Sequence, residues 1–91
     1  MGGLPSATDV LLMVEVADTT LRYDRDIKIP LYARHGVAEV WLVDLQSESV
    51  IVHRQPAPEG YRDVSTATSD AVISPPELPS VRLDLAELWR I

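Results

Sequence analysis

The chain contains no cysteine and no phenylalanine, and it has only one lysine. Without cysteine there is no disulfide framework, thiol nucleophile or thiolate metal site, and an intracellular, cytoplasmic location is predicted. The longest apolar run, residues 10–14, is far shorter than the roughly 20 residues that a membrane span needs. No basic segment precedes this run as in a signal peptide, so we expect no association with a membrane.

Positive charge is also scarce, because 8 Lys and Arg residues stand against 14 Asp and Glu residues in a chain of 91, for a net charge of −6. An acidic chain has no general attraction to nucleic acid, so any DNA contact has to be local or helped by a metal ion. A glycine-rich phosphate loop and a Gly-x-Ser-x-Gly elbow are both missing. His35 and His53 have no third histidine or cysteine to complete a transition-metal site.

The pattern of the first half predicts a β-α-β unit. Residues 1–8 are predicted to be a linker or frayed N-terminus, and residues 9–91 a single domain. Aliphatic residues at 10–16 and 39–44 are typical of buried strands, and the segment 20–35 between them predicts a crossover helix. The two strands are therefore expected to pair in parallel through a right-handed crossover. Proline at position 30 predicts a kink or a split near residue 29.

The second half predicts an antiparallel meander and a last short helix. Residues 49–55 and 61–68 are the two predicted strands, joined by a Pro- and Gly-containing loop. A rigid Pro-rich connector at 74–79 leads to a short helix that Asp84 is expected to cap. The fold class is thus α/β in the mixed α+β sense, with a β-α-β core, a meander and a short C-terminal helix.

Glu15 is the most unusual residue of the chain, because an ionised carboxylate within an apolar strand is costly unless a cation or metal compensates it. It is either a metal ligand or catalytic carboxylate, or a residue on a strand that faces water. Lys28 lies on the helix that follows, and an ion pair with Glu15 is geometrically possible. The alternative for Lys28 is a solvated lysine on the helix surface.

The remaining acidic residues have simpler interpretations. Asp24, Arg25 and Asp26 form a mixed-charge patch that is either a site for metal or phosphate or, as we expect, a solvent-facing helix surface with local ion pairs at i,i+3 and i,i+4 spacing. Asp9 is expected at the entry of the first strand. Asp44 ends the second strand and is expected to start a turn, although functional side chains are often found at such strand ends.

Several long segments of the chain resemble one protein family. They are Asp9-Val10-Leu11-Leu12-Met13-Val14-Glu15-Val16-Ala17-Asp18-Thr19-Thr20, the segment from Tyr23 to Arg34, the segment from Gly36 to Asp44, and an ending that runs from Ser74-Pro75 to Leu88. Together they resemble the Uma-type putative restriction endonuclease family of the PD-(D/E)XK nuclease superfamily. The resemblance implies a restriction-endonuclease-like fold and metal-dependent hydrolysis of phosphodiester bonds in DNA.

The resemblance also implies the site residues. Glu15 corresponds to the superfamily's metal-binding carboxylate, with the Val16 backbone carbonyl as a further ligand of Mg²⁺ or Mn²⁺. The usual Glu-x-Lys is Glu15-Val16-Ala17 here, which implies that the lysine has moved to the following helix as Lys28. This lysine would then lie near the attacking water and the scissile phosphate.

The family's N-terminal half, with its Pro-Asp aspartate, has no counterpart in this sequence, and Asp9 aligns with a non-catalytic position. The sequence therefore predicts the C-terminal portion of such a domain, either truncated and inactive alone or with the missing aspartate supplied by a second copy or by a complementing N-terminal chain. The competing hypothesis is a non-catalytic remnant that acts as an interaction or oligomerisation module.

Overall fold

The computed structural model describes residues 7–68 and 70–90 and has a mixed α+β architecture. A four-stranded sheet has the order β1-β2-β3-β4 and is followed by a small two-stranded sheet, β5-β6. The strands of the two sheets are β1 (Met13–Ala17), β2 (Glu39–Asp44), β3 (Ser49–Ala57), β4 (Gly60–Thr68), β5 (Val72–Ile73) and β6 (Leu83–Asp84). The helices are a 3-10 turn (Ala7–Asp9), α1 (Leu21–Tyr23), a π-helical turn (Asp24–Lys28), α2 (Ile29–Arg34) and α3 (Leu85–Leu88).

The predicted β-α-β unit is confirmed, since β1 and β2 pair in parallel and the helical crossover lies between them. The strand pairing starts at Met13, three residues later than predicted. The N–H of Ala38 also bonds the carbonyl of Val10, but a bend at Leu11 separates this contact from the regular ladder. Of the predicted N-terminal segment 1–8, residues 1–6 lie outside the described residues.

The crossover helix changes its winding ahead of Pro30. The N–H of Ile29 bonds the carbonyl of Asp24, five residues earlier, and this defines the π-helical turn. Pro30 then occupies the first turn of α2, where its missing N–H costs little. The predicted split near residue 29 is therefore confirmed. The helix ends before Gly36, whose positive φ of 84° is a conformation that favours glycine.

The central strand β2 is buried along its whole length because it is covered on both faces. The helix-side core consists of Ala17, Ile29, Val37, Val40 and Leu42, and the core under α3 consists of Trp41, Val43, Val50, Val52 and Leu85. The antiparallel meander β2-β3-β4 is confirmed, with strands slightly longer than predicted. Asp84 accepts a hydrogen bond from the N–H of Ala86, so the predicted helix cap is confirmed as well.

A buried charged cluster joins β2 to β3. The carboxylate of Glu39 is only 5% exposed and accepts hydrogen bonds from the Arg54 guanidinium at 2.9 Å and from the Trp41 indole at 2.5 Å. Arg54 also donates to the carbonyl of Ser74 at 3.2 Å. The cluster therefore ties the connector that follows the meander to the centre of the sheet.

The two edges of the main sheet differ in character. On β4, the exposed residues are mainly polar and include Arg62, Asp63 and Thr66, which is typical of an edge protected from pairing. On β1, Val14 and Val16 are 47% and 61% exposed. They line an apolar groove of about 370 Å³ that continues to Trp41 and α3.

No helix in the described part of the chain is both long and apolar enough to cross a membrane.

Candidate active site

Glu15 lies at the centre of β1, opposite Leu42 of β2, and its side chain is directed to the helix-covered face of the sheet. Its Oε1 atom accepts a hydrogen bond from the Tyr32 hydroxyl at 2.6 Å and another from the Lys28 ammonium at 3.3 Å. The Glu15 side chain is 22% exposed, so water reaches the carboxylate. The carboxylate that stands out in the sequence is thus compensated by a cation and a hydroxyl from the crossover helix.

Three residues of this helix, spaced four apart, form the other half of the cluster. Lys28 is flanked by Tyr32 and by Asp24, whose Oδ1 atom lies 3.6 Å from the Lys28 Nζ. Asp24 is buried and also accepts a hydrogen bond from the Thr20 hydroxyl at 2.9 Å. Lys28 is therefore held between two carboxylates while its side chain remains 41% exposed.

The charges of the cluster fix its protonation. The hydrogen bond and the charge of Glu15 raise the pKa of Lys28, so this side chain is an ammonium ion at neutral pH. The same carboxylate raises the pKa of Tyr32, since the neutral hydroxyl is the form that can donate to it. Lys28 consequently offers positive charge and hydrogen-bond donors rather than a free amine that could accept a proton.

Backbone geometry determines where the Val16 carbonyl is directed. The carbonyl of Ala17 accepts a hydrogen bond from the N–H of Leu45 on the β2 side. Because neighbouring residues of a strand direct their backbone groups to alternate sides, Val14 and Val16 direct theirs to the free edge of the sheet. The Val16 carbonyl and the Glu15 carboxylate therefore both belong to the outermost strand.

These donors suit a hard divalent cation, but they are few. The hydrogen bonds described for the Glu15 carboxylate both end on Oε1, which leaves Oε2 for a ligand. Mg²⁺ prefers oxygen donors and commonly retains several water molecules beside one or two carboxylates. Within residues 7–68 and 70–90, no three acidic, histidine or cysteine side chains converge on one point. Glu15 is thus the single carboxylate of the outermost strand, β1.

One expectation about the helix was wrong. Asp24, predicted to face solvent, is 5% exposed because it lies under Lys28 and Thr20. Arg25 and Asp26 are exposed as predicted and form an ion pair at 2.9 Å, but between adjacent residues, whereas the pair at the predicted i,i+4 spacing joins Asp24 and Lys28. Asp24 and Tyr32 were not recognised as site residues, although their spacing of four on either side of Lys28 is the signal that places all three on one helix face.

Other candidate residues lie apart from this cluster. Asp44 accepts hydrogen bonds from the N–H groups of Gln46 and Ser47, which confirms the turn interpretation. Asp9 ends the 3-10 turn ahead of β1. His53 is buried, with its Nδ1 atom 3.3 Å from the Val40 carbonyl, and burial lowers its pKa. His53 therefore belongs to the packing of the sheet.

Comparison with solved structures identifies the class of fold. The chain is similar to a crystal structure described as a putative nuclease belonging to DUF820 from Anabaena variabilis, with a TM-score of 0.65 and 19% sequence identity. The match covers 89% of this chain and 45% of that one, so the chain spans about half the length of the solved protein. At this identity the likeness establishes a nuclease-like fold.

The family follows from the sequence itself. The profile of the family described as "Uma2: Putative restriction endonuclease" matches residues 3–86. The chain therefore belongs to this family, as the resemblance of its segments implied. A search of curated proteins finds no match.

Proposed function

We propose that the chain serves the metal-dependent hydrolysis of phosphodiester bonds in DNA, with Glu15 as the metal-binding carboxylate and Lys28 as the cation beside the phosphate. The observation that carries this proposal is the convergence of both residues at the free edge of the sheet, with a 3.3 Å contact between their side chains. Membership of a restriction endonuclease family and a nuclease-like fold support it.

Lys28 is suited to bind a phosphate oxygen. An ammonium group has three donors, of which one is used in the hydrogen bond to Glu15, while Asp24 at 3.6 Å is an ion-pair partner without a hydrogen bond. Its raised pKa keeps the charge in place at neutral pH. We infer that Lys28 stabilises negative charge that develops on the phosphate, which is the electrostatic form of catalysis.

Glu15 and Val16 are the proposed ligands of Mg²⁺ or Mn²⁺, through Oε2 of the carboxylate and through the backbone carbonyl. A divalent cation bound there supplies a Lewis acid next to the scissile phosphate. Tyr32 holds the opposite oxygen of the carboxylate at 2.6 Å and so fixes its orientation. Asp24 acts on Lys28 in the same manner, as a positioning residue.

Local positive charge supports a contact with DNA despite the net charge of −6. Three of the chain's eight cationic residues, Arg22, Arg25 and Lys28, lie within one helical stretch of seven residues, whose two aspartates leave it a net charge of +1 (3 − 2). Cations placed in this way displace counterions from phosphate. We therefore propose that DNA approaches along the crossover helix.

The competing function is a non-catalytic interaction module. It is favoured by the small number of carboxylates at the free edge and by the exposed valines of β1. The two functions differ in whether a hydrolytic activity depends on Glu15.

The test is nicking of supercoiled plasmid by the purified chain in a titration of Mg²⁺ and of Mn²⁺. Glu15→Gln and Lys28→Met are the test variants. Glu87→Gln and Arg90→Met are matched controls, because these two residues form an exposed ion pair at 3.7 Å on the C-terminal helix and its end. We expect nicking that both test variants lose and both controls retain. Nicking that persists in Glu15→Gln, or a wild-type chain without nicking, contradicts the proposal.

A further inference from the structure

We propose that the free edge of β1 pairs antiparallel with β1 of a second copy, with Glu15 of one copy facing Glu15 of the other. The pairing itself rests on the open backbone groups and the exposed valines of β1. The role given below to the two facing carboxylates rests on the proposed function.

The first argument is the open hydrogen-bonding edge. In the described part of the chain, β1 ends the sheet and pairs only with β2. The N–H and C=O groups of Val14 and Val16 are directed away from β2, as shown by the alternation from the Ala17 carbonyl. An unpaired row of this kind is a template for another strand.

The second argument is self-complementarity. Because β1 has five residues with Glu15 at its centre, an antiparallel pair centred there places Val14 opposite Val16 of the second copy, and the reverse. Each of these two residue pairs exchanges both backbone hydrogen bonds, so all the open groups of Val14 and Val16 are satisfied. The same register covers the two exposed valine side chains with one another.

The third argument is the contrast between the two edges. The exposed residues of β4 are mainly polar, with Val64, 53% exposed, as an isolated apolar residue. The exposed valines of β1 instead continue into the apolar groove that reaches Trp41. Apolar surface is therefore concentrated at the edge where the backbone is also open.

The negative charges of the two facing Glu15 carboxylates must be compensated for this pairing to form. Two carboxylates directly opposite one another repel. Each Glu15 is compensated by Lys28 of its own copy, whose Nζ lies 3.3 Å away. The facing pair also brings together two Glu15 carboxylates, where a single chain provides one. A hard divalent cation such as Mg²⁺ commonly binds through one or two carboxylates. The Val16 carbonyl keeps a second lone pair beside its strand hydrogen bond.

Cysteine trapping tests the register directly, since the chain has no cysteine of its own. Glu15 of each copy forms a pair without mutual hydrogen bonds, in which the two Cα atoms are about 4.5 Å apart, a distance that a disulfide spans. We expect Glu15→Cys to form a covalent dimer under mild oxidation and Val64→Cys on β4 to remain monomeric. Mixing Val14→Cys with Val16→Cys keeps Glu15 intact, and we expect the mixed disulfide to form faster than either self-pair.

Sedimentation tests the association without a cross-link. We expect the wild-type chain to dimerise in a concentration-dependent manner, Val14→Lys to be monomeric and Val64→Lys to behave as the wild type. Equal trapping at positions 15 and 64, or a wild-type chain that stays monomeric while Glu15→Cys gives no trapped dimer, overturns the proposal.

A metal titration separates this inference from the proposed function. With Mn²⁺ about ten times above its Kd for the dimer, linkage tightens dimerisation about tenfold in the wild type, and we expect no such effect in Glu15→Gln. A dimer trapped in the stated register that ignores Mn²⁺ upholds the pairing and refutes the metal role of Glu15. Glu15-dependent nicking by a strictly monomeric chain upholds the function and refutes the pairing.

Discussion

Replacing Arg54 by Met is expected to destabilise the protein strongly, because it leaves the Glu39 carboxylate buried without its cation. The Glu39 side chain is 5% exposed, while Arg54 is 31% exposed. Removing one partner of a buried ion pair costs about 3–5 kcal/mol. Because water reaches the guanidinium side of this pair, we expect the lower end, about 3 kcal/mol. That is a large part of the roughly 5–14 kcal/mol typical of a domain of this length.

Urea unfolding followed by far-UV circular dichroism measures this loss through linear extrapolation. The double variant Glu39→Gln with Arg54→Met should regain much of the loss at pH 7, because a neutral amide needs no cation. The exposed Arg90→Met is the control and should unfold as the wild type does.

The reasoning is refuted if Arg54→Met unfolds at the wild-type urea concentration. A double variant that is less stable than Arg54→Met would refute it equally.

Three further predictions concern the site, the sheet and the last helix. Tyr32→Phe removes the 2.6 Å donor to Glu15 and should weaken Mn²⁺ binding about tenfold in calorimetry, while unchanged binding would show that Tyr32 does not position the carboxylate. Burial lowers the pKa of His53, so the stability it contributes is present above pH about 6.5 and is lost as the pH falls below that value. The urea midpoint should therefore fall less between pH 7 and pH 5.5 in His53→Gln than in the wild type or in the exposed His35→Gln. Asp84→Ala removes the cap bond to Ala86 and should cost about 1 kcal/mol in the same assay, and an unchanged midpoint would contradict the cap.

The β-α-β unit and the meander could be predicted because their signals are local and strong. Two apolar runs separated by about 20 residues of helical pattern allow few other arrangements. The Glu15–Lys28 contact was also accessible from the sequence, since a crossover helix packs over its own sheet. The burial of Asp24 was not, because an Asp-Arg-Asp run is typical of a solvated helix face. Only the contact with Lys28 and Thr20 distinguishes Asp24 from Asp26.

The start of β1 and the winding of the helix are the other features that sequence patterns missed. Residues 10–12 have the same aliphatic character as the strand, and only the bend at Leu11 shows why regular pairing begins at Met13. The π-helical turn has no periodic signature, because it is a single short turn within a stretch that is otherwise α-helical.

The π-helical turn between Asp24 and Lys28 makes the candidate site sensitive to chain length as well as to side-chain chemistry. In an α-helix, four residues advance about 40° beyond a full turn, so Asp24 and Tyr32 would diverge by about 80° around the axis. The wider turn rotates less per residue and offsets part of this advance, which brings the directions of Asp24 and Tyr32 closer to one another. Deleting a single exposed residue from this turn would rewind the helix and rotate Asp24 away from Lys28 without touching any functional group. Insertions and deletions here thus act as a mechanical adjustment of the cation's environment, which a comparison of substitutions alone would overlook.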